Sequence, residues 1–269
     1  MATPRRISLT QDELSRNLID RFVLGTEAKE GLMPSARILA EEFGVSRLFL
    51  REVLAGLQRQ GLIESVPGKG VYVKKPDMLN AARNVHLAVL QSSATARNLI
   101  EARTNLEEQC ASLAAARATK EDIAEMEYAL EVFDNASSLI QKAQADIAFH
   151  SLIARSTHNP VLQIMFGSIT SLAFETMLRS LSDPEIFNLG APLHHAMLKA
   201  IKKQDPQAAL KAMSKHLHIA EDSYQADLDN KLSDVANRIV KEVLHSTMSI
   251  EQVLDSALRD FKIEIVTPG

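Results

Sequence analysis

The chain is poor in the residues that staple, stack or span. Of its 269 residues one is cysteine, Cys110, none is tryptophan, and aromatic side chains make up 4%. A lone cysteine excludes an internal disulfide framework, and in its alanine-rich run Cys110 reads as a small core residue. No apolar stretch reaches membrane-spanning length and no signal peptide or lipidation pattern is visible, so a cytoplasmic protein without a membrane partner is expected. Few aromatics beside plentiful Ala, Leu and Glu argue for a mainly helical protein. Net charge is also small, −4, but it hides a split. Residues 1–76 hold twelve Lys/Arg against nine Asp/Glu, and the remainder eighteen against twenty-five. A mildly basic head on an acidic body fits a DNA reader attached to something that binds a small molecule or itself. So modest an excess predicts weak, salt-sensitive non-specific binding.

What the chain does have is a dense motif from Pro34 to Val73. Ser35 is placed to cap a first helix whose apolar face is Ile38, Leu39 and Phe43, and Gly44 to end it in a left-handed turn. Val45 seals the turn and Ser46 caps a second helix, where Leu50, Val53, Leu54 and Leu57 form one stripe. Arg47 and Arg51 project from another face. After Gly61, Leu62–Val66 and Val71–Val73 flank a Pro67-Gly68-Lys69-Gly70 turn as a two-stranded ribbon. Upstream, Thr10-Gln11-Asp12-Glu13 is a capping box opening a helix to about Gly25. These pieces compose a winged helix-turn-helix. The first residues of its second helix enter the major groove, so Arg47 and Arg51 reach guanine edges or flanking phosphates. Arg37 lies where the backbone passes, Lys69 and Gly70 form the wing tip, and Ser35 and Ser46 present helix N-termini to phosphate. The bland reading is that these arginines only solvate a helix face beside Glu41 and Glu52.

This segment resembles the DNA-binding domain of the GntR family of bacterial transcription regulators. Met33-Pro34-Ser35-Ala36-Arg37, Gly44-Val45-Ser46-Arg47, Arg51-Glu52-Val53-Leu54, Gly61-Leu62 and Gly68-Lys69-Gly70 match its signature in order. The resemblance implies DNA contacts from Arg37, Arg47, Arg51 and the wing. Three departures bear on the operator. Ala36 stands where the family has Glu, Phe49 stands where it has Pro, and Lys29-Glu30-Gly31 replaces a Pro-Gly. Phe49 either alters how the helix enters the groove or offers thymine methyls an apolar contact.

Beyond a linker at Lys74–Asp77 only helical periods appear. Boundaries fall at Thr119, Asn159-Pro160, Asp183-Pro184, Gly190 and Asp205-Pro206, which predicts six or seven helices. Of eight histidines, His150 lies four residues after Asp146, so both face one side of a helix in a two-ligand arrangement for a divalent ion. His194 and His216, on later helices, join them only through the fold. An Asp with three neutral imidazoles suits Zn²⁺, Ni²⁺ or a similar ion and leaves positions open for a ligand carboxylate. Spacing alone is a weak signal, since helical Asp/His pairs are common on surfaces and a lone His is more often a satisfied polar residue. From about Leu99 to Tyr224 the chain also resembles the FCD effector domain of the FadR branch, through Glu101-Ala102-Arg103, Leu106-Glu107, Asp146, Phe149-His150, Asn159-Pro160, His194 and His216-Leu217. That resemblance implies a metal held by Asp146, His150, His194 and His216, and a small organic acid as effector. Arg103 matches an arginine that pairs with the effector carboxylate; read alone, it is equally a helix-surface partner of Glu107. His195 and His218 become the ligands if the helical register slips by one.

The expected organisation is a winged helix-turn-helix over residues 1–75, a helical ligand-binding and dimerisation domain over 76–229, and a helical extension over 230–269. In the extension, Val235, Ile239, Val243 and Leu244 form one stripe, and Ser249-Ile250-Glu251-Gln252 caps a helix carrying Val253, Leu254, Ala257, Leu258 and Phe261. Its apolar face packs on its own domain or on another subunit. The function expected is that of a regulator, a repressor, binding a palindromic DNA operator as a homodimer under organic-acid control. The competing readings are a helical metallohydrolase using the same ligands, against which stands the lack of a marked general base, and a regulator whose metal is structural.

Overall fold

A computed structural model describes residues 9–74, 85–89, 91–222, 224, 227–232, 234, 256–257 and 259–261. The chain divides into two compact units, Met1–Asn80 and Ala81–Gly269.

The first unit opens with α1, Gln11–Leu18, capped as expected by the reciprocal Thr10–Glu13 pair. The predicted single helix to Gly25 is instead interrupted. After Leu18 the chain widens into a π-helical turn over Ile19–Val23, which buries Phe22 and leaves Arg21 paired with Glu27 and Glu42. Helices α2, Ala36–Glu42, and α3, Arg47–Arg59, follow with the Ser35 and Ser46 hydroxyls accepting from Ile38 and Phe49 N–H. Gly44 between them is left-handed (φ 64°), where a side chain would be strained. The α3 stripe Leu50, Val53, Leu54 and Leu57 is buried against Leu14, Leu18 and Leu39. Strands β1, Ile63–Val66, and β2, Gly70–Val73, pair antiparallel with Ile63 opposite Val73 and Val66 opposite Gly70. The ribbon gains a third segment that periodicity does not show. Met33 N–H donates to Val71 O at 2.9 Å and Val73 N–H to Gly31 O at 2.8 Å, tying the wing to the chain entering α2.

The second unit is an all-helical bundle in its described residues: α4 Ala96–Arg117, α5 Lys120–Asp134, α6 Leu139–Arg155, α7 Pro160–Ser182, α8 Pro184–Lys202 and α9 Pro206–Asp222. Thr119, Asn159 and Asp183 cap α5, α7 and α8, and Pro206 opens α9. Gly190 does not end a helix. It lies inside α8, facing His216 and Ile219 of α9. Helix α9 packs on α4 and α8, and α6 lies between α5 and α7. The core-most helix is α6, with Ala143 and an unbroken run from Ala145 to Ala154 buried. Cys110 is buried as expected. No single helix among the described residues is long and apolar enough to cross a membrane.

Of the C-terminal extension, what is described packs on its own unit. Leu232 joins Leu99 and Leu172, Ala257 is fully buried, and the Phe261 ring sits 5.8 Å from that of Tyr128. The stripe Val235, Ile239, Val243 and Leu244, the second capping box, Leu258 and most of the predicted linker lie outside the described residues.

Candidate functional site

In the second unit four helices aim polar side chains at one point. Helix α4 supplies Arg103 and Glu107, α6 Asp146 and His150, α8 His194, and α9 His216. His150, His194 and His216 each bring a ring nitrogen within 4.8 Å of the other two. Asp146 Oδ1 is 2.8 Å from His194 Nε2 and 3.9 Å from His150 Nε2. The four residues grouped by sequence therefore meet. Asp146, His150 and His194 are at most 3% exposed. Within this cluster His150 Nε2, His194 Nδ1 and His216 Nδ1 have no hydrogen-bond partner among the described residues, and Asp146 Oδ1 has only its 2.8 Å contact with His194 Nε2. Buried polar atoms are rarely left so, and several orphaned lone pairs facing one point form a donor set that a divalent cation satisfies.

Electrostatics prepares the same set. Burial pushes the His216 imidazole well below its usual value, and the neighbouring His194 and His150 add to the shift. It is thus neutral, as a ligand must be. Burial alone would raise Asp146, but the three histidines around it outweigh that and hold it below the usual carboxylate range. Glu107 is likewise pushed up by burial and pulled down further by Arg103 and His150, to about 2.

Arg103 pairs with Glu107 as the helical spacing allowed, but not at the surface. Its Nε donates to Glu107 Oε1 at 2.6 Å, yet the pair is buried, with Arg103 and Glu107 each 1% exposed. Arg103 also lines a small cavity together with Asp146, His194 and His216. Phe133, Phe187, Met177 and Leu181 form apolar wall. One guanidinium beside a metal-ligand cluster inside an apolar wall is chemistry for a small anion. His195 and His218 point elsewhere: His195 lies 3.2 Å from the Asp134 carboxylate, and His218 Nδ1 donates to Ser214 O.

In the first unit the expected DNA-facing residues are exposed, apart from Phe49. Arg37 pairs with Glu41 at 3.3 Å, whereas Arg47, Arg51 and Lys69 have no ion-pair partner among the described residues. Lys69 N–H donates to Val66 O at the wing tip. Gly70 follows at φ 123°, where an added Cβ would stand 2.9 Å from Leu32 Cδ1. Phe49 packs against the core of its unit, and its neighbour Leu48 is the apolar residue in the open, 70% exposed. Two residues thus escaped sequence reasoning. Leu48 was detectable, since it falls three residues before Arg51 on the face opposite the buried stripe. Glu107 acquires its second partner, His150, only through the fold.

The description "Bacterial regulatory proteins, gntR family" matches residues 10–73, and "FCD domain" matches residues 98–219. The galactonate operon transcriptional repressor of Escherichia coli K12 is 33% identical over 214 residues, 74% of this chain and 93% of that protein. The chain belongs to the gntR family of bacterial regulatory proteins. This gntR-family chain is also 30% identical to the Glc operon transcriptional activator of E. coli K12, over 78% of the chain and 89% of that protein. In fold it is similar to a Streptococcus agalactiae GntR structure at 22% identity, covering 80% of this chain and all of that one, with a TM-score of 0.63. Membership makes the chain a DNA-binding transcription regulator rather than an enzyme. The hydrolase reading ends there.

Proposed function

We propose that this regulator, of the FadR branch, binds a palindromic operator as a homodimer and responds to a small organic acid held by Arg103 and a divalent metal. Residues 1–75 read DNA, 76–229 bind ligand and dimerise, and 230–269 support the second domain. One helix-turn-helix gives too few base contacts for operator specificity, and two-fold symmetry doubles them. Arg47 and Arg51 read base edges with Leu48 beside them, Ser35, Arg37 and Ser46 hold phosphate, and Lys69 and Gly70 follow the groove at the wing. Phe49 acts through the packing of α3.

The observation that carries the effector reading is the meeting of a buried guanidinium with a buried Asp/His set in one apolar-walled cavity. Asp146, His150, His194 and His216 would hold Zn²⁺ or Ni²⁺, which supplies positive charge and open coordination positions for a carboxylate. The name of one relative carries a sugar-acid anion, galactonate, and this cavity suits that chemical class. Effector binding relieves repression by favouring one arrangement of the two reading heads, with a coupling of about 1–3 kcal/mol.

The test is calorimetry on Zn²⁺- or Ni²⁺-loaded protein with a panel of small organic acids, galactonate among them, followed by operator footprinting. An acid that binds the wild type, fails on Arg103→Ala and releases the operator is expected. Stabilisation by metal with no response to any acid would leave the metal structural and remove the sensor. Arg47→Ala and Arg51→Ala should each weaken operator binding by about 1–3 kcal/mol with the dimer intact, and unchanged footprints in both would sink the DNA assignment.

A further inference from the structure

Glu107 uses both carboxylate oxygens on different partners. Oε1 accepts from Arg103 Nε at 2.6 Å, and Oε2 lies 2.6 Å from His150 Nδ1. The residue is 1% exposed, so water contributes little. An ionised carboxylate only accepts hydrogen bonds, which obliges His150 to carry its proton on Nδ1. The other nitrogen, Nε2, is then left with a lone pair, and it is one of the orphaned atoms facing Asp146. The bond to Oε1 occupies the Arg103 Nε–H and leaves the terminal guanidinium N–H groups as the donors for the cavity that Arg103 lines.

We propose that Glu107 is the positioning residue that couples the metal centre to the anion-reading arginine, fixing the His150 tautomer with one oxygen and the Arg103 guanidinium with the other. The inference rests on the metal reading above and extends it to regulation: a metal seated on His150 Nε2 strengthens the Nδ1–H bond to Glu107, and that carboxylate in turn sets Arg103. A plain structural ion pair would need neither the His150 bond nor the burial of all three groups. Carboxylates behind metal-bound histidines typically change affinity by 10–100-fold when removed.

A glutamine at this position accepts through one oxygen and turns its amide N–H₂ toward the other donor, so it serves His150 or Arg103 but not both. Competition between a chelator and Zn²⁺ or Ni²⁺ alone, on the full chain, should show roughly 10–100-fold weaker binding in Glu107→Gln. Arg103→Gln should weaken it less, and adding Arg103→Gln to Glu107→Gln should change nothing further. Full metal affinity in Glu107→Gln, or effects of the two changes that simply multiply, would overturn the coupling. Nitrogen-15 NMR of the metal-free wild type supplies a readout that needs no variant. His150 should be protonated on Nδ1, and a proton on Nε2 refutes the proposal even if Glu107→Gln fails to fold. Should the wild type bind neither ion, the metal reading fails by itself, and the tautomer still decides whether Glu107 orients His150.

Discussion

The two ends of this regulator handle charge in opposite ways. In the reading head, Arg47, Arg51 and Lys69 are exposed with no ion-pair partner among the described residues, so their fields remain available to an incoming phosphate or base edge. In the effector unit, Arg103, Glu107, Asp146, His150 and His194 are withdrawn from water, with His216 half-buried beside them, and these groups satisfy one another or converge on an open point. An exposed charge loses little solvation until DNA arrives, and the resulting affinity is correspondingly salt-dependent. A buried charge is expensive to hold unpaired, so each group depends on its neighbours. The difference says where mutations should matter. Head changes should alter DNA binding with little effect on folding, and pocket changes should alter both.

The strongest way to break that contrast is to remove one arginine from each end. Arg103→Ala leaves Glu107 buried with a missing partner, and we expect about 3–5 kcal/mol lower stability. Arg37→Ala removes one side of an exposed pair, in which both side chains are 62% exposed, and should change stability by less than about 0.5 kcal/mol. Urea unfolding of both variants checks the pair, and equal losses would erase the distinction.

Within the head, Leu48 and Phe49 are adjacent and should part company. Phe49 packs against the core, so Phe49→Ala should lower stability by about 2 kcal/mol, less than a fully buried Phe would. Leu48→Ala should leave unfolding unchanged and instead shift operator preference away from thymine at the contacted position. Selection of operators from a random pool by the two variants separates them.

The effector unit has an acid-sensitive joint away from the cavity. Asp122 accepts from Thr119 at the cap of α5, faces His158 Nε2 at 2.9 Å, and has Arg155 at 3.7 Å. Burial pushes its carboxyl up, but the Thr119 hydrogen bonds and then His158 outweigh that and leave it below the usual range. A depressed folded value contributes stability above the unfolded pKa and loses it as pH falls through the folded one. The wild type should therefore weaken below about pH 4, and Asp122→Asn should lose less over the same window. Denaturation midpoints on either side of that pH measure it.

These contrasts also mark what was legible in the chain. The head was readable because its determinants are local: caps at Ser35 and Ser46, a left-handed Gly44, and a stripe at Leu50, Val53, Leu54 and Leu57 all act within a few residues. The π-helical turn at Ile19–Val23 and the pairing of Gly31 and Met33 with β2 were not readable, since neither changes hydrophobic period. In the effector unit the pair Asp146 and His150 was visible as one helical turn, but only the family resemblance grouped His194 and His216 with it. Glu107 lies 43 residues from His150, and no local pattern links them. Phe49 was given a role in groove entry or thymine contact because it stands where the family has Pro, and a comparison of positions carries no packing information, which left its partial burial unseen.

Gly190 gives the smallest effect and the most discriminating one. Sequence reading placed a helix end there, yet the residue sits within α8 and lines the cavity. An added Cβ would meet His216 Nδ1 at 3.8 Å and Ile219 Cγ2 at 3.9 Å, ordinary contact distances. Its backbone is helical, so alanine there removes unfolded-state freedom and should raise stability by about 0.5–1 kcal/mol. The same methyl enters the space above His216 where an acid would lie. Gly190→Ala should therefore melt higher and bind Zn²⁺ or Ni²⁺ as before, but bind the organic acid identified for the wild type more weakly. If the variant keeps full acid affinity, the ligand does not occupy that side of the cavity. If it loses metal as well, the wall and the metal centre are one structure rather than two.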